Sequence, residues 1–351
     1  MRTAADPLSM VDWWGSDDFD APFGFIAACI EMANAADNGF DALTHLPIQV
    51  DGSCNGLQHL SALGRDRKGA VATNVAANKV RQDIYQEVAN RCQELVALDV
   101  TKGVESAATW AGKIERKTVK RAVMTTPYGV TARGIRDQLV NDGHTHKAIG
   151  ENAIGHQTAA SYLTEVIQRA MDETVSSASA IMGYFQDVAA ALGKHQLPLQ
   201  WVSPSGMRVQ QSYYKLSQKR IDTLYGRVYL NSSDVQMGLD LNKQTNGAAP
   251  NVIHSFDAAH MVATINFARE AYGLSDFSMI HDSYGCHACD MDDMSYALRR
   301  TFVEQYSGDV LGDFHRQQLE VAGPLGIELP TPPALSDFNL TEVMKSDFFF
   351  A

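Results

Sequence analysis

The stretch LPIQVDGSCNGLQH, residues 46–59, decides how this sequence is interpreted. Its first apolar residues alternate with others, which predicts a strand over 46–51. Glycines at 52 and 56 then predict a turn into a helix that starts near Leu57. Asp51 would end the strand and present its carboxylate at a rigid edge, beside the backbone carbonyl of Gly52. Such oxygen ligands suit Mg²⁺, although an aspartate that only caps the turn or the helix is the simpler interpretation.

A second segment lies between residues 107 and 129, where a helix over 107–126 is predicted to stop near Pro127. Four cations recur on this helix at i, i+3, i+4 and i+7 and form one stripe: Lys113, Arg116, Lys117 and Lys120. Tyr128 and Gly129 follow the stop. A cationic helix beside an aromatic ring could hold a triphosphate and stack a base. A solvated charged face is the alternative.

The third segment is IHDSYG, residues 280–285, within a tight hairpin predicted over 277–289. Asp282 would place a second carboxylate on a rigid element, unless it is only a turn residue. Carboxylates on neighbouring strands can hold two divalent ions ~3.5–4 Å apart, the arrangement used for displacement at phosphorus.

Composition sets wider limits. The 351 residues are 45% hydrophobic and 20% charged, which predicts a globular chain with a sizeable core. No apolar run is long enough for a membrane-spanning helix, so no membrane partner is expected. Five cysteines, an odd number, suit a reducing cytosol. The net charge of −12 argues against nucleic-acid binding. However, residues 113–136 hold seven basic residues against one acid, and a local patch is what a phosphate partner needs.

Periodicity predicts further elements along the chain. Helices are expected over 22–36, 76–97, 150–193 and 291–307, with β-hairpins within 197–245 and a loop-rich tail from 323.

In their order and internal spacing, the three segments resemble motifs A, B and C of the single-subunit, bacteriophage-type DNA-directed RNA polymerases, which include mitochondrial enzymes. Motif A resembles residues 51–59. Motif B resembles Arg116, Lys120, Tyr128 and Gly129 at their spacing, and motif C resembles residues 281–283. The likeness extends from about Trp13 to the end, where DFFFA is similar to the family's C-terminal foot.

The resemblance implies a role for each matched residue. Asp51, Asp282 and the Gly52 carbonyl would bind two Mg²⁺ ions, and Asp51, Lys120 and Asp282 would be catalytic. Arg116 and Lys120 would contact the incoming triphosphate. Tyr128 and Gly129 would lie beside the nucleotide, with Tyr128 helping to select ribose. His254 would sense the 2′-hydroxyl, and His281 would support the metal site and the primer end. Arg133 departs from the pattern, since close relatives carry phenylalanine there.

The implied fold is α/β (α+β), a right-hand polymerase with palm and fingers and a small antiparallel palm sheet. The expected division is a palm-associated helical segment (1–41), palm with motif A (42–67), fingers (68–253) with a specificity hairpin near 222–242, and palm with motif C and the foot (254–351). The thumb and N-terminal domain would lie upstream of this chain. Expected partners are the DNA template, nascent RNA, NTPs and a separate N-terminal polymerase portion, in the bacterial host cytoplasm if a phage encodes the chain.

Other functions compete with this one. A family A DNA polymerase shares both aspartates, but its motif A normally continues Ser-Gln-Ile-Glu, whereas residues 52–55 here are Gly-Ser-Cys-Asn. A non-catalytic nucleic-acid-binding protein would fit the absence of a thumb. A zinc module is suggested by Cys286 and Cys289 and by the pair His144 and His146, but neither has a second pair to complete four ligands.

Overall fold

The computed structural model describes residues 2–16, 21–149 and 153–351. It is rich in helix. The helices are α1 (Arg2–Ala5), α2 (Val11–Trp14), α3 (Pro22–Asn38), α4 (Asn55–Leu63), α5 (Arg67–Ala72), α6 (Ile84–Thr101), α7 (Glu105–Trp110), α8 (Arg116–Thr125), α9 (Ala132–Asn141), α10 (His144–Ile149), α11 (Ala153–Thr174), α12 (Ser176–Lys194), α13 (Leu241–Tyr272), α14 (Met291–Tyr306) and α15 (Val310–Ala322).

The strands form small antiparallel sheets. They are β1 (Ile48–Asp51), β2 (Leu199–Val202), β3 (Arg208–Gln211), β4 (Leu216–Thr223), β5 (Gly226–Ser233), β6 (Ser278–Ile280) and β7 (Ser283–Cys286). In one sheet β7 lies between β1 and β6. The other two sheets are the hairpins β2–β3 and β4–β5. This helix-rich architecture with small antiparallel sheets confirms the predicted fold class.

Helix α4 lies at the centre of the core, because all nine of its residues are buried. It packs against α13 and α12, and α14 covers another side of α13. Helix α13 runs for 32 residues, from a cap by the Asp240 side chain to Gly273 in the left-handed region at φ 74°. The predicted boundary at residue 254 therefore falls inside one continuous helix.

Several predicted elements are confirmed. The strand ends at Asp51, helix α4 starts two residues before the expected Leu57, and β6 and β7 form the tight hairpin expected over 277–289. Helices α3 and α14 match the segments 22–36 and 291–307 within two residues at either end. Beyond α15 the described tail holds only short 3₁₀ turns and loops.

Three helix predictions were wrong in extent. The segment 107–126 is two helices, α7 and α8, because the chain turns at Gly112 with φ 69°. Lys113 consequently leaves the cationic stripe, and its Nζ donates to the Ala148 carbonyl at 2.5 Å. The segment 76–97 becomes helical only at Ile84, where Asp83 caps α6. The segment 150–193 breaks at Val175 between α11 and α12, and residues 150–152 lie outside the described residues.

The hairpin predicted near 222–242 lies earlier in the chain. Its strands β4 and β5 turn at residues 224–225, and α13 has already begun at Leu241. None of the β5 residues is buried. In the described parts of the chain, no helix combines the length and the apolar character needed to cross a bilayer.

Candidate active site

The two aspartates meet at one end of the β1–β7 pair. Asp51 ends β1 and is paired in register with Ser283, the first residue of β7. Asp282 directly precedes Ser283, and His281 makes the turn with φ 54°. Gly52 follows Asp51 in close contact with α4, since a Cβ there would lie 2.6 Å from Oε1 of Gln58, whose side chain would have to shift. Sheet pairing thus brings together two carboxylates 231 residues apart in sequence.

Both carboxylates line a cavity of about 310 Å³. Its lining comprises Asp51, Gly52, Ser53, Cys54, Asn55, Arg81, Tyr85, Arg116, Lys120, Met124, Tyr128, Asp282 and Ala351. The three segments that the sequence singled out therefore contribute to one cavity. Gly129 is not among these residues and lines a neighbouring cavity instead.

The electrostatics of the pair favour a bound cation. Burial raises the pKa of Asp51, and the charge of Asp282 raises it further, while Lys120 acts in the opposite direction. Burial also raises the pKa of Asp282, and the charge of Asp257 adds to that effect. A positive ion beside two carboxyls that resist ionisation would stabilise their charged forms. Lys120 already supplies part of that charge.

Helix α8 forms the cationic wall of the cavity. Arg116 and Lys120 lie one turn apart on it and both reach the cavity. The Arg116 Nε contacts Oδ2 of Asp83 at 2.5 Å, and its guanidinium lies 5.1 Å from the centre of the Tyr85 ring. Lys117 is exposed and does not line the cavity. Two of the four predicted stripe residues thus reach the site.

Tyr128 and His254 form a stacked pair beside the carboxylates. Their ring centres are 4.5 Å apart and the ring planes differ by 15°. Burial raises the pKa of the Tyr128 hydroxyl and lowers that of His254, which favours the neutral form of both rings. Gly129 allows the chain to pass close to α13, because its φ is 73° and a Cβ would lie 3.0 Å from the Asn246 carbonyl. Tyr128 and His254, which are 126 positions apart in sequence, therefore lie side by side.

A buried polar cluster beneath the site was not predicted. Asp257 accepts from the Asn55 amide at 2.7 Å, and His59 lies 3.8 Å from the same carboxylate oxygen. His59 Nδ1 lies 2.7 Å from the Tyr306 hydroxyl. Burial alone would raise the pKa of Asp257, but His59 and Asn55 together lower it. Asp257 lies one helical turn after His254. That spacing on one helix is the sequence signal that could have indicated Asp257.

The end of the chain closes the cavity. The backbone N–H of Ala351 donates to the Asp51 carbonyl at 3.2 Å, and Phe350 forms an isolated bridge with Gly52. Gln58, fully buried, donates to the Phe349 carbonyl at 2.8 Å. The predicted foot therefore contacts Asp51, Gly52 and Gln58.

The alternative zinc site is not supported. Among residues 2–16, 21–149 and 153–351, no group of three or more His, Cys, Asp or Glu side chains could hold a metal ion. Cys286 is buried on β7 with its sulfur 3.3 Å from that of Met291, and Cys289 is exposed. Arg133, at the position of the family phenylalanine, is exposed and lies 3.8 Å from Asp137.

The donor set fits magnesium. Asp51 and Asp282 offer hard carboxylate oxygens on a rigid sheet edge, and Gly52 places its backbone in the same cavity. Burial raises the pKa of both carboxyls, and a neighbouring carboxylate raises each further, so a divalent ion would stabilise their charged forms.

Comparison with known proteins agrees with the motif geometry. The family model described as DNA-dependent RNA polymerase matches residues 1–324. This chain belongs to that family. The mitochondrial DNA-directed RNA polymerase 1B of Nicotiana tabacum is 35% identical over 99% of this chain and 35% of its own length. The DNA-directed RNA polymerase of Enterobacteria phage T3 is 32% identical over 100% of the chain and 45% of its own length.

The chain thus spans between about a third and a half of the length of these relatives. A solved structure, the POL domain of Pol1 from M. smegmatis with DNA primer-template and dNTP, covers 75% of the chain at TM-score 0.38 and 17% identity. That likeness is too low to carry an argument.

Proposed function

We propose that this chain carries the catalytic centre for template-directed RNA synthesis, adding a ribonucleoside monophosphate to an RNA 3′ end and releasing pyrophosphate. One observation carries the proposal. Two carboxylates, two cations and a tyrosine from three separate segments line a single cavity, and the family to which the chain belongs synthesises RNA on DNA. The expected division into palm and fingers is part of this proposal.

Each side chain has a defined task in this reaction. Arg116 and Lys120 bind the triphosphate from the α8 side, and Lys120 can give a proton to the leaving pyrophosphate. Asp51 and Asp282, with the Gly52 carbonyl, would hold magnesium. When bound, magnesium activates the attacking hydroxyl and stabilises charge at phosphorus. His281 orients Asp282 through the turn that it forms.

The Tyr128–His254 stack is proposed to select the sugar. Tyr128 lines the cavity, and the ring of His254 stacks on it at 4.5 Å. A hydroxyl and a ring nitrogen at this position can hydrogen-bond a ribose 2′-hydroxyl, and a site built for such a bond discriminates against substrates without it. The sequence at 52–55 carries no glutamate to block that hydroxyl.

Replacing Tyr128 by Phe tests this assignment. The discrimination between NTPs and dNTPs is expected to fall by about 10-fold or more, because one hydrogen bond is lost while the stack remains. The measurement is single-nucleotide extension of an RNA primer on a DNA template with each substrate. Tyr225→Phe, in the exposed β4–β5 turn, is the matched control. Unchanged rejection of dNTPs by the Tyr128 variant would remove Tyr128 from this role.

The proposed partners are a DNA template, nascent RNA and NTPs. Because the chain spans less than half of its relatives' length, we further propose that another polymerase portion grips the duplex. The proposed location is the cytoplasm, in keeping with free cysteines.

The test of the whole proposal is Mg²⁺-dependent extension of a primed template by the purified chain, alone and with the upstream portion of a relative added. Extension with NTPs supports it. Template binding without extension under both conditions would favour a non-catalytic nucleic-acid-binding protein.

A further inference from the structure

A second cavity, of about 380 Å³, adjoins the proposed catalytic cavity. The two cavities share four lining residues, and these form the wall between them: Ser53, Arg81, Tyr85 and Arg116. The two cavities therefore lie on either side of a wall that contains two arginines. Neither the motifs nor the sequence periodicity singled out Arg81.

The two arginines differ in how their charges are used. Arg116 is held by Asp83, whose Oδ1 at the same time caps α6 by accepting from the backbone of Tyr85 and Gln86. Arg81 is exposed and has no ion pair within the part of the chain that the structure describes. Asp83 is the one acid that lines the second cavity, and its charge is already engaged by Arg116. The charge of Arg81 consequently remains available to a ligand.

We propose that Arg81 is a second polyphosphate-binding residue, which holds the triphosphate tail of the nucleotide, and the pyrophosphate that leaves, at the wall between the two cavities. A guanidinium presents a planar fork of donors that matches phosphate oxygens. Asp83 keeps the Arg116 guanidinium beside the Tyr85 ring, so a phosphate chain at this wall meets two arginines from different segments. The inference rests on the proposed function, because it names a further residue for that substrate.

Binding of inorganic tripolyphosphate with Mg²⁺ to the purified chain, by calorimetry at fixed ionic strength, tests the assignment. Arg81→Ala is expected to weaken binding by about 5-fold or more, and Arg81→Lys by less, since the charge stays but the fork is lost. Arg300→Ala is the matched control, because it removes the same charge from a surface pair with Glu304. Its effect is expected to stay within about 2-fold, the range of a screened distant charge.

Equal affinities of the Arg81→Ala and Arg300→Ala chains would overturn the inference, and so would a wild-type chain that does not bind the probe. The result is separable from the proposed function. A chain that binds tripolyphosphate through Arg81 but extends no primer keeps the inference and contradicts the activity. A chain that extends primers with the same NTP KM after Arg81→Ala keeps the activity and contradicts the inference. Thermal unfolding confirms that each variant is folded.

Discussion

Asp51 and Asp282 are placed at some cost to the fold. Burial raises the pKa of both, and the charge of Asp282 raises that of Asp51 further, so the folded chain opposes their ionisation. Such carboxylates are typical of sites that bind cations rather than of structural ion pairs, in which the pKa is lowered. At the scale of single residues, function and stability therefore compete in this cavity.

This competition predicts that Asp51→Asn raises the midpoint of thermal unfolding at pH 7 without divalent ions. A carboxyl whose pKa is raised by folding loses stability as pH rises through its unfolded pKa, about 3.9. The increase in the unfolding midpoint caused by Asp51→Asn should therefore be present at neutral pH and vanish below about pH 3. The measurement is unfolding by calorimetry across that range. Magnesium should stabilise the wild type more than the variant.

The matched control is Asp276→Asn, an exposed carboxylate six residues before Asp282. It is expected to change the midpoint little, because this carboxylate lies on the surface. A lower midpoint for Asp51→Asn at pH 7 would mean that the folded chain stabilises the charged form of Asp51. The electrostatic argument for a cation site would then be wrong.

At the scale of the element, Asp83 caps helix α6 with Oδ1 and pairs with Arg116 through Oδ2. Two substitutions separate these roles. Asp83→Ala should destabilise the chain by about 1 kcal/mol, because α6 loses its N-cap. Asp83→Asn keeps a cap acceptor and loses only a half-exposed ion pair, so its cost should be below about 0.5 kcal/mol. Urea unfolding of both variants measures the difference. Equal losses would show that the ion pair, not the cap, stabilises this turn.

Local patterns predicted the elements that carry chemistry but not all helix limits. Alternating apolar residues and glycine turns predicted three of these elements: the strand to Asp51, helix α4 and the β6–β7 hairpin. The break at Gly112 was missed because apolar spacing continues through it, and only a positive φ reveals the turn. Lys113 was misplaced for the same reason.

The contacts of Asp257 could not be predicted, for a different reason. Its partners Asn55 and His59 lie about 200 residues away and meet it only when α13 packs on α4. Similarly, Arg81 reaches the cavity because α6 starts at Ile84 rather than at residue 76. Long-range packing places Asp257, whereas the local start of α6 places Arg81.

At the scale of the whole molecule, the segment 349–351 reaches the cavity that Asp51 and Asp282 line. Ala351 lines the cavity and holds the Asp51 carbonyl, while Phe349 and Phe350 are buried in the core. The tail thus couples the last residues of the fold to the turn that carries the first carboxylate.

Deleting Ala351 should therefore reduce extension by about 10-fold or more, equivalent to ~1.4 kcal/mol of activation free energy. The midpoint of unfolding should change little, because both buried phenylalanines remain. Ala351→Gly, which keeps the N–H and the terminal carboxylate, is the control and should retain most activity. Extension rates and calorimetry on the three chains make the comparison. Equal activity of the deleted chain would show that the tail serves packing alone.

The central claim is that Asp51 and Asp282 together form the metal site for nucleotidyl transfer. Its most direct test is Mg²⁺-dependent extension of an RNA primer on a DNA template by the Asp51→Asn and Asp282→Asn chains, beside wild type and Asp276→Asn. We predict extension by wild type and by the Asp276 control, and none by either site variant at any Mg²⁺ concentration. Extension by either site variant at the wild-type rate would contradict the account.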